Sequence, residues 1–359
     1  MDRRPTHQDI ATLACVSQVT VSLALRSNPR IPETTRLRIE AIARQIGYRP
    51  DPMLSSLAAY RRDVKGHAHQ GTLAWIDDWK PARKFFVEPE FKGYWSGARE
   101  RCEELGYKLE IFPIATMGVS IERLFGILRA RNIQGLLLAP QSRSRAHLHS
   151  DWENFSVVTF GFSLARPRFH LVTDAQFRCA VMAVRKLRSL GYRRIGCVLE
   201  HPFDERTDHN FSGGYLSELR RFPKSQQIPF LPISGWTAPK AFAQFEAWHK
   251  RYRPEAIITV PGVVQHWMKE LGHEVGTDYA LAGLTAVDKR PEFAGIYQNG
   301  PMIGRTAVDI LVGMIHRNER GVPEFPMRIL IEGSWVDGKS VHRLIPAEPG
   351  QKELPRVSA

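Results

Sequence analysis

The sequence predicts an all-α head joined to a longer α/β body of two lobes, and three observations predict it. Within residues 1–50 apolar residues recur at helical spacing in short runs broken by turn formers. Beyond Gly71 extended and helical patterns alternate almost to the end. A chain of 359 residues exceeds one average domain and has length for two packed lobes behind the head.

The head is read first. Thr6-His7-Gln8-Asp9 has the form of a capping box, in which Thr6 covers an orphan amide and Asp9 reaches back; it starts a helix carrying Ile10, Ala11 and Ala14. Ala14-Cys15-Val16 leaves room only for a tight turn. The run from Ser17 to Arg26 then reads as a second helix, with Val21 and Leu25 facing inward beside Val16. Gln18, Val19, Ser22 and Arg26 are left on another face, and these side chains suit base edges and phosphates. Ile39, Ile42 or Ala43, and Ile46 give a third helix, stopped at Gly47. Helix, turn and polar-faced helix make a helix-turn-helix, whose second helix enters the DNA major groove. The competing reading of the same pattern is a three-helix module that binds a protein.

Composition bounds the partners. The formal net charge of +13 favours polyanions, and residues 1–65 hold eleven Lys or Arg against six Asp or Glu. A merely basic surface explains charge alone equally well. The four cysteines, Cys15, Cys102, Cys179 and Cys197, are far apart without a Cys-x-x-Cys spacing, which suggests reduced thiols in a cytosol. No signal-peptide stretch follows the N-terminus and nowhere do eighteen uncharged apolar residues run together, so a soluble, cytoplasmic protein with no membrane partner is expected.

After Tyr48, Pro50 and Pro52 interrupt the third helix, and Met53 to Arg62 has the composition of a further short helix. Residues 63–71 read as a polar connector; His67 and His69 lack further ligands at metal-binding spacing. The body then reads as strands at 72–77, 108–114, 135–139, 157–160, 194–199, 228–233, 256–260, 279–284, 295–297 and 328–332. Between them lie helices at 91–105, 120–131, 177–190, 214–221, 239–252, 263–271 and 303–316. Such alternation argues for parallel sheets covered by helices, with ligands beyond the carboxyl ends of strands. The tail, residues 343–359, is rich in Pro and polar residues and is expected to be mobile. No phosphate loop and no His-Glu-x-x-His helix occur; Gly161-Phe162-Ser163 lacks the second glycine of a nucleophile elbow; and Asp77 and Asp78, as neighbours on a strand, point apart. No catalytic role, cofactor or metal is assigned.

Val16-Ser17-Gln18-Val19-Thr20-Val21-Ser22, followed by Thr35-Arg36 and Gly47-Tyr48-Arg49-Pro50, resembles the lactose-repressor (LacI/GalR) family of bacterial transcription regulators. Gly191-Tyr192-Arg193-Arg194-Ile195, Gly214-Tyr215 and Gln298-Asn299 extend the resemblance to about residues 5–340. It implies an all-α helix-turn-helix head plus an α/β two-lobed periplasmic-binding-protein-like domain. The divisions become a DNA-binding domain (1–50), a hinge helix and linker (51–70), an effector-binding and dimerisation domain (71–342) and the tail.

The resemblance also implies a homodimer on a near-palindromic operator, whose two half-sites follow from two-fold symmetry, and repression more than activation. Gln18, Val19, Ser22 and Arg26 are expected at bases, with Thr6, Ser17, Thr20, Thr35 and Tyr48 nearer phosphates; Thr20 and Tyr48 have alternative roles in the fold and the core. Leu54 and Leu57 lie in the segment that, in the family, wedges a leucine into the minor groove; the alternative is a linker packing on the dimer. Asp51, Leu54 and Ser55 depart from the family pattern there.

In the body, three polar sugar holders of the family are replaced together, by Phe211, by Pro261-Gly262 and by Thr285. The remaining candidates to line an effector cleft are Asp77, Asp78, Trp79, Phe85, Phe91, Phe211, Trp236 and Gln298, for a sugar or related metabolite, unless the aromatic residues are ordinary core. An effector-free domain that only dimerises stays open. So does an architectural DNA binder, whereas the first fifty residues and the lack of a signal-peptide stretch argue against a ligand-binding protein without DNA.

Overall fold

The structure is a computed structural model that describes residues 5–25, 31–48, 70–80, 89–286 and 292–344. Arg26, Leu54, Leu57 and Phe85, with the segments 51–69 and 345–359, lie outside the described residues.

The head is three helices, α1 (His7–Ala14), α2 (Gln18–Leu25) and α3 (Glu33–Gln45). The capping box at Thr6 and Asp9 forms as the sequence predicts. Cys15 takes a left-handed conformation at φ 52°, ending α1 so abruptly that α2 leaves at 104° to it. Ser17 precedes α2 rather than opening it: its Oγ accepts from the Thr20 amide at 3.0 Å. Ile10, Ala14, Val21, Ala24, Ile39 and Ala43 form one small buried core. Ala24, not the expected Leu25, takes the fully buried place on α2; Leu25 lies half-buried at the edge. The smaller side chain is what lets three helices approach around so few residues.

The body contains, in order, β1 (Gly71–Asp77), α4 (Pro89–Glu104), β2 (Tyr107–Pro113), α5 (Ile114–Met117), α6 (Ile121–Ala130), β3 (Gly135–Leu138), β4 (Ala146–His147), β5 (Ser156–Phe160), β6 (Leu164–Arg166) and β7 (His170–Asp174). It continues with α7 (Gln176–Ser189), β8 (Ile195–Glu200), α8 (His201–Arg206), α9 (Asn210–Leu219), β9 (Leu231–Ile233), α10 (Ala241–Tyr252), β10 (Ala256–Thr259), α11 (Val263–Glu270), β11 (Ala280–Ala286), β12 (Gly295–Tyr297), α12 (Gly300–Arg317), β13 (Arg328–Ile331) and β14 (Ser334–Val336).

Two six-stranded sheets result, ordered β13-β7-β5-β3-β1-β2 and β14-β12-β11-β10-β8-β9. Their ladders are parallel except for β12 with β14. The chain passes between lobes three times: from β7 to α7, from β12 to α12, and from β13 to β14. Each strand order reverses once, between β1 and β3 in the first lobe and between β8 and β10 in the second, the places where open α/β sheets leave a crevice.

The sequence reading is corrected in several places. It assigned no strand at His170–Asp174 or Ser334–Val336 and no helix at His201–Arg206; it began α9 four residues late and β9 three residues early. His170–Asp174 has only two aliphatic residues, yet lies buried in mid-sheet because neighbours on both sides supply its ladder bonds. Cys102, Cys179 and Cys197 are buried and Cys15 is exposed; all four are free.

Glycines set the closest helix contact. A Cβ on Gly97 of α4 would overlap the Pro301 carbonyl of α12, and one on Gly304 would overlap the Tyr94 carbonyl. The two helices therefore meet backbone to backbone, fixing the crossing helix α12 onto the first lobe.

Candidate functional site

Two places carry candidate function, and they are built differently. In the head, α2 is anchored by Val21 and Ala24 and turns Ser17, Gln18 and Val19 outward, with Val19 67% exposed. Thr20 and Ser22 are half-buried on its flank. Among the expected phosphate contacts, Thr6 is engaged in its cap, donating from Oγ1 to Asp9 at 2.7 Å. Thr20 Oγ1 lies 2.8 Å from Ser17 Oγ, which ties both hydroxyls to the start of α2. Tyr48 packs at the edge of the head core with its hydroxyl 2.8 Å from His7 Nε2, so one ring joins the end of the third helix to the start of the first. Thr35 is half-buried on α3.

In the body, a cavity of about 650 Å³ opens between the lobes at the carboxyl ends of both sets of strands. Of the sequence candidates, Trp79, Phe91, Phe211, Trp236 and Gln298 line it together. Asp77 and Asp78 do not; they stand behind the wall. Asp77 Oδ1 accepts from the Trp79 amide at 2.9 Å, and burial raises its carboxyl above the usual range against that bond. Asp78 accepts from the Ser142 amide at 2.8 Å and from its hydroxyl at 2.9 Å, pinning the loop after β3. The Trp79 indole is fixed by donation from Nε1 to the Pro140 carbonyl at 2.7 Å.

The second lobe reaches across through α8. The Arg206 guanidinium lies 4.7 Å from the Trp79 ring centroid and 5.9 Å from that of Phe91. Ser144 Oγ donates to Glu205 at 3.0 Å, a second bond from lobe to lobe. Asp204 holds the turn after α8 by accepting from Ser212 Oγ at 2.9 Å, with His209 Nδ1 2.8 Å away. That turn carries two left-handed non-glycine residues, Asp208 and His209, and swings Phe211 to 5.7 Å from Phe203, nearly parallel to it.

Sequence reasoning missed Arg206 and, at the floor of the cavity, Asp174. It ends β7 at a crossing between lobes and is 1% exposed. Its Oδ1 accepts from Thr173 Oγ1 at 3.1 Å and Gln176 Nε2 at 3.2 Å, and its Oδ2 from Gln298 Nε2 at 2.9 Å. Burial pushes its carboxyl up to about 6, against the pull of those donors. The signal that would have found it is a carboxylate closing a strand in an α/β alternation, and the strand itself was not recognised. Among the described residues no group of three His, Cys, Asp or Glu is placed to hold a metal ion.

A helix-turn-helix head precedes two α/β lobes with a cavity between them. Comparison with known proteins matches both parts. Residues 6–51 match the model described as "Bacterial regulatory proteins, lacI family", and residues 184–341 that of a "Periplasmic binding protein-like domain". The chain thus carries a lacI-family helix-turn-helix region followed by a periplasmic-binding-protein-like domain. It is 27% identical over 336 residues to the HTH-type transcriptional repressor CytR of Escherichia coli (strain K12), covering 88% of this chain and 91% of that one. The transcriptional regulator CelR in complex with cellobiose is similar in fold, with TM-score 0.56 at 18% identity over 94% of this chain and all of that one. A Lac repressor dimer bound to operator and the anti-inducer ONPF also has TM-score 0.56, at 17% identity over 95% of this chain and all of that one. Among the described residues no single helix is long and apolar enough to cross a membrane.

Proposed function

We propose that the chain is a sequence-specific transcriptional repressor that binds a near-palindromic operator as a homodimer in the cytoplasm and is modulated by a small-molecule effector in the inter-lobe cavity. The observation that carries the DNA part is the start of α2: Gln18 and Val19 exposed on a helix whose other side is the head core, with Ser17 exposed just before it. Gln18 offers an amide that pairs with an adenine edge, and Val19 an apolar surface for a thymine methyl. Arg26 and the Leu54 and Leu57 wedge complete the reading from sequence alone. Support for a dimer comes from the Lac repressor, which is a dimer on its operator. The cavity, at about 650 Å³, is of the size that takes a small metabolite, which favours an effector over a body that only dimerises.

The effector acts by binding one arrangement of the lobes better than another, and the three chain crossings carry that difference toward the head. The test is selection of bound sites from random DNA by the full-length protein. A symmetric site with half-sites about one helical turn apart is expected. Gln18→Ala should relax the preference at one position per half-site, at a cost of about 1 to 3 kcal/mol. Equal binding to every duplex at ordinary ionic strength removes the reading.

A further inference from the structure

We infer that the cavity takes a flat aromatic compound carrying an N–H or O–H donor, the ring between the aromatic walls and the donor on the Gln176 carbonyl oxygen. The inference rests on the reading of the cavity as the effector site and gives that effector a chemical class.

The walls supply the first half. Trp79 and Phe91 line the cavity from one lobe, Phe203 and Trp236 from the other, with the fully buried Phe211 stacked on Phe203. Several are locked before any ligand arrives. Trp79 is tied to Pro140 and covered by Arg206, and Phe203 and Phe211 brace each other with planes only 13° apart. Rigid ring faces lose little freedom on binding and match a flat π-surface better than the puckered, hydroxyl-fringed outline of a polyol.

The floor supplies the other half. An ionised carboxylate only accepts, so Asp174 obliges both Gln176 and Gln298 to turn their NH2 groups toward it. For Gln176 this fixes the orientation of the amide. Its carbonyl oxygen Oε1 is left buried with no protein partner, on a side chain 7% exposed that lines the cavity. An acceptor in that condition calls for a donor from whatever fills the space. Asp174 ends β7 and Gln298 directly follows β12, two strands from which the chain crosses between lobes, so a donor placed here lies at the crossings themselves.

The test uses four probes on the full-length protein: indole, 1-methylindole, ribose and cellobiose, with affinities from ligand-observed NMR titration. The two indoles share a ring and differ in the donor. Indole is expected to bind at least about fivefold more tightly than 1-methylindole, and both sugars to show no binding. Gln176→Leu should bring indole to the level of 1-methylindole while leaving the latter unchanged, which also reports that the cavity is still folded. Equal binding of the two indoles, an equal loss of both in the variant, or binding of a sugar without the indoles overturns the ring-and-donor class, as does binding by none of the four. Operator affinity measured with and without a metabolite extract separates the two readings. A response to the extract without indole binding sinks only the ligand class, whereas no response to the extract removes the effector itself.

Discussion

The head and the cavity present opposite ways of building a surface that binds. At the start of α2 the exposed residues are sequence neighbours, Ser17 just before the helix and Gln18 and Val19 on it, oriented by the burial of Val21 and Ala24. Around the cavity, Trp79 and Gln298 meet from places far apart in the chain, brought together only when two sheets aim their carboxyl ends at one space. The difference teaches where each is vulnerable. The head depends on a core of a few small residues, while the cavity depends on the chain crossings and on loops pinned by Asp77, Asp78 and Asp204.

Four changes break or sharpen that contrast. The largest effect is expected from Val21→Asp, which places an unpaired charge in the head core and should abolish specific DNA binding. The melting transition of the body should stay in place, since the head core shares no residue with the others; a shift of both in calorimetry would join the two regions into one unit. Gly97→Ala comes next. With no room against the Pro301 carbonyl, α4 and α12 must separate, costing the body about 2 to 3 kcal/mol in denaturant unfolding with the head unaffected.

Asp174 gives a pH signature of similar or smaller size. Its folded carboxyl holds a proton up to about 6, against an ordinary 3.8, so the folded state binds that proton more tightly than the unfolded chain. The contribution is therefore fully present below the ordinary value and is lost as pH rises through about 6. Asp174→Asn should flatten this part of the stability curve, by about 3 kcal/mol at most between about pH 4 and about pH 7. An unchanged curve in thermal melts would show that the carboxyl titrates normally. The smallest effect belongs to Thr6→Ala. It removes the α1 cap and should cost the head about 1 kcal/mol, read as a lower midpoint for loss of head helicity.

Legibility in the sequence followed the same division. The capping box, the turn at Cys15 and the stop at Gly47, at φ +69°, are local chemistry, and each stands where the spacing placed it. Most of the body was also legible, because buried parallel strands read as apolar runs between helices. The strand His170–Asp174 was not, since its position in mid-sheet comes from β5 and β13, and β13 lies more than 150 residues further along the chain. Trp79, Phe91, Phe211, Trp236 and Gln298, named in the sequence as candidate cleft residues, do line one cavity, but Asp77 and Asp78, grouped with them, turn away to hold the loops. Arg206 was missed because the short helix that carries it is defined by what it packs against.

By itself the sequence determined the elements whose causes are near at hand: caps, turns, the two-faced helix α2 and the alternation that makes parallel sheets. Tertiary structure alone decided which aromatic residues from the two lobes line one cavity, and that a carboxylate ending β7 should orient the amides of Gln176 and Gln298. The physical reason is range. Backbone hydrogen bonds and helical periodicity act over a few residues, whereas burial, ring packing and the low-dielectric setting of Asp174 exist only after distant strands have met.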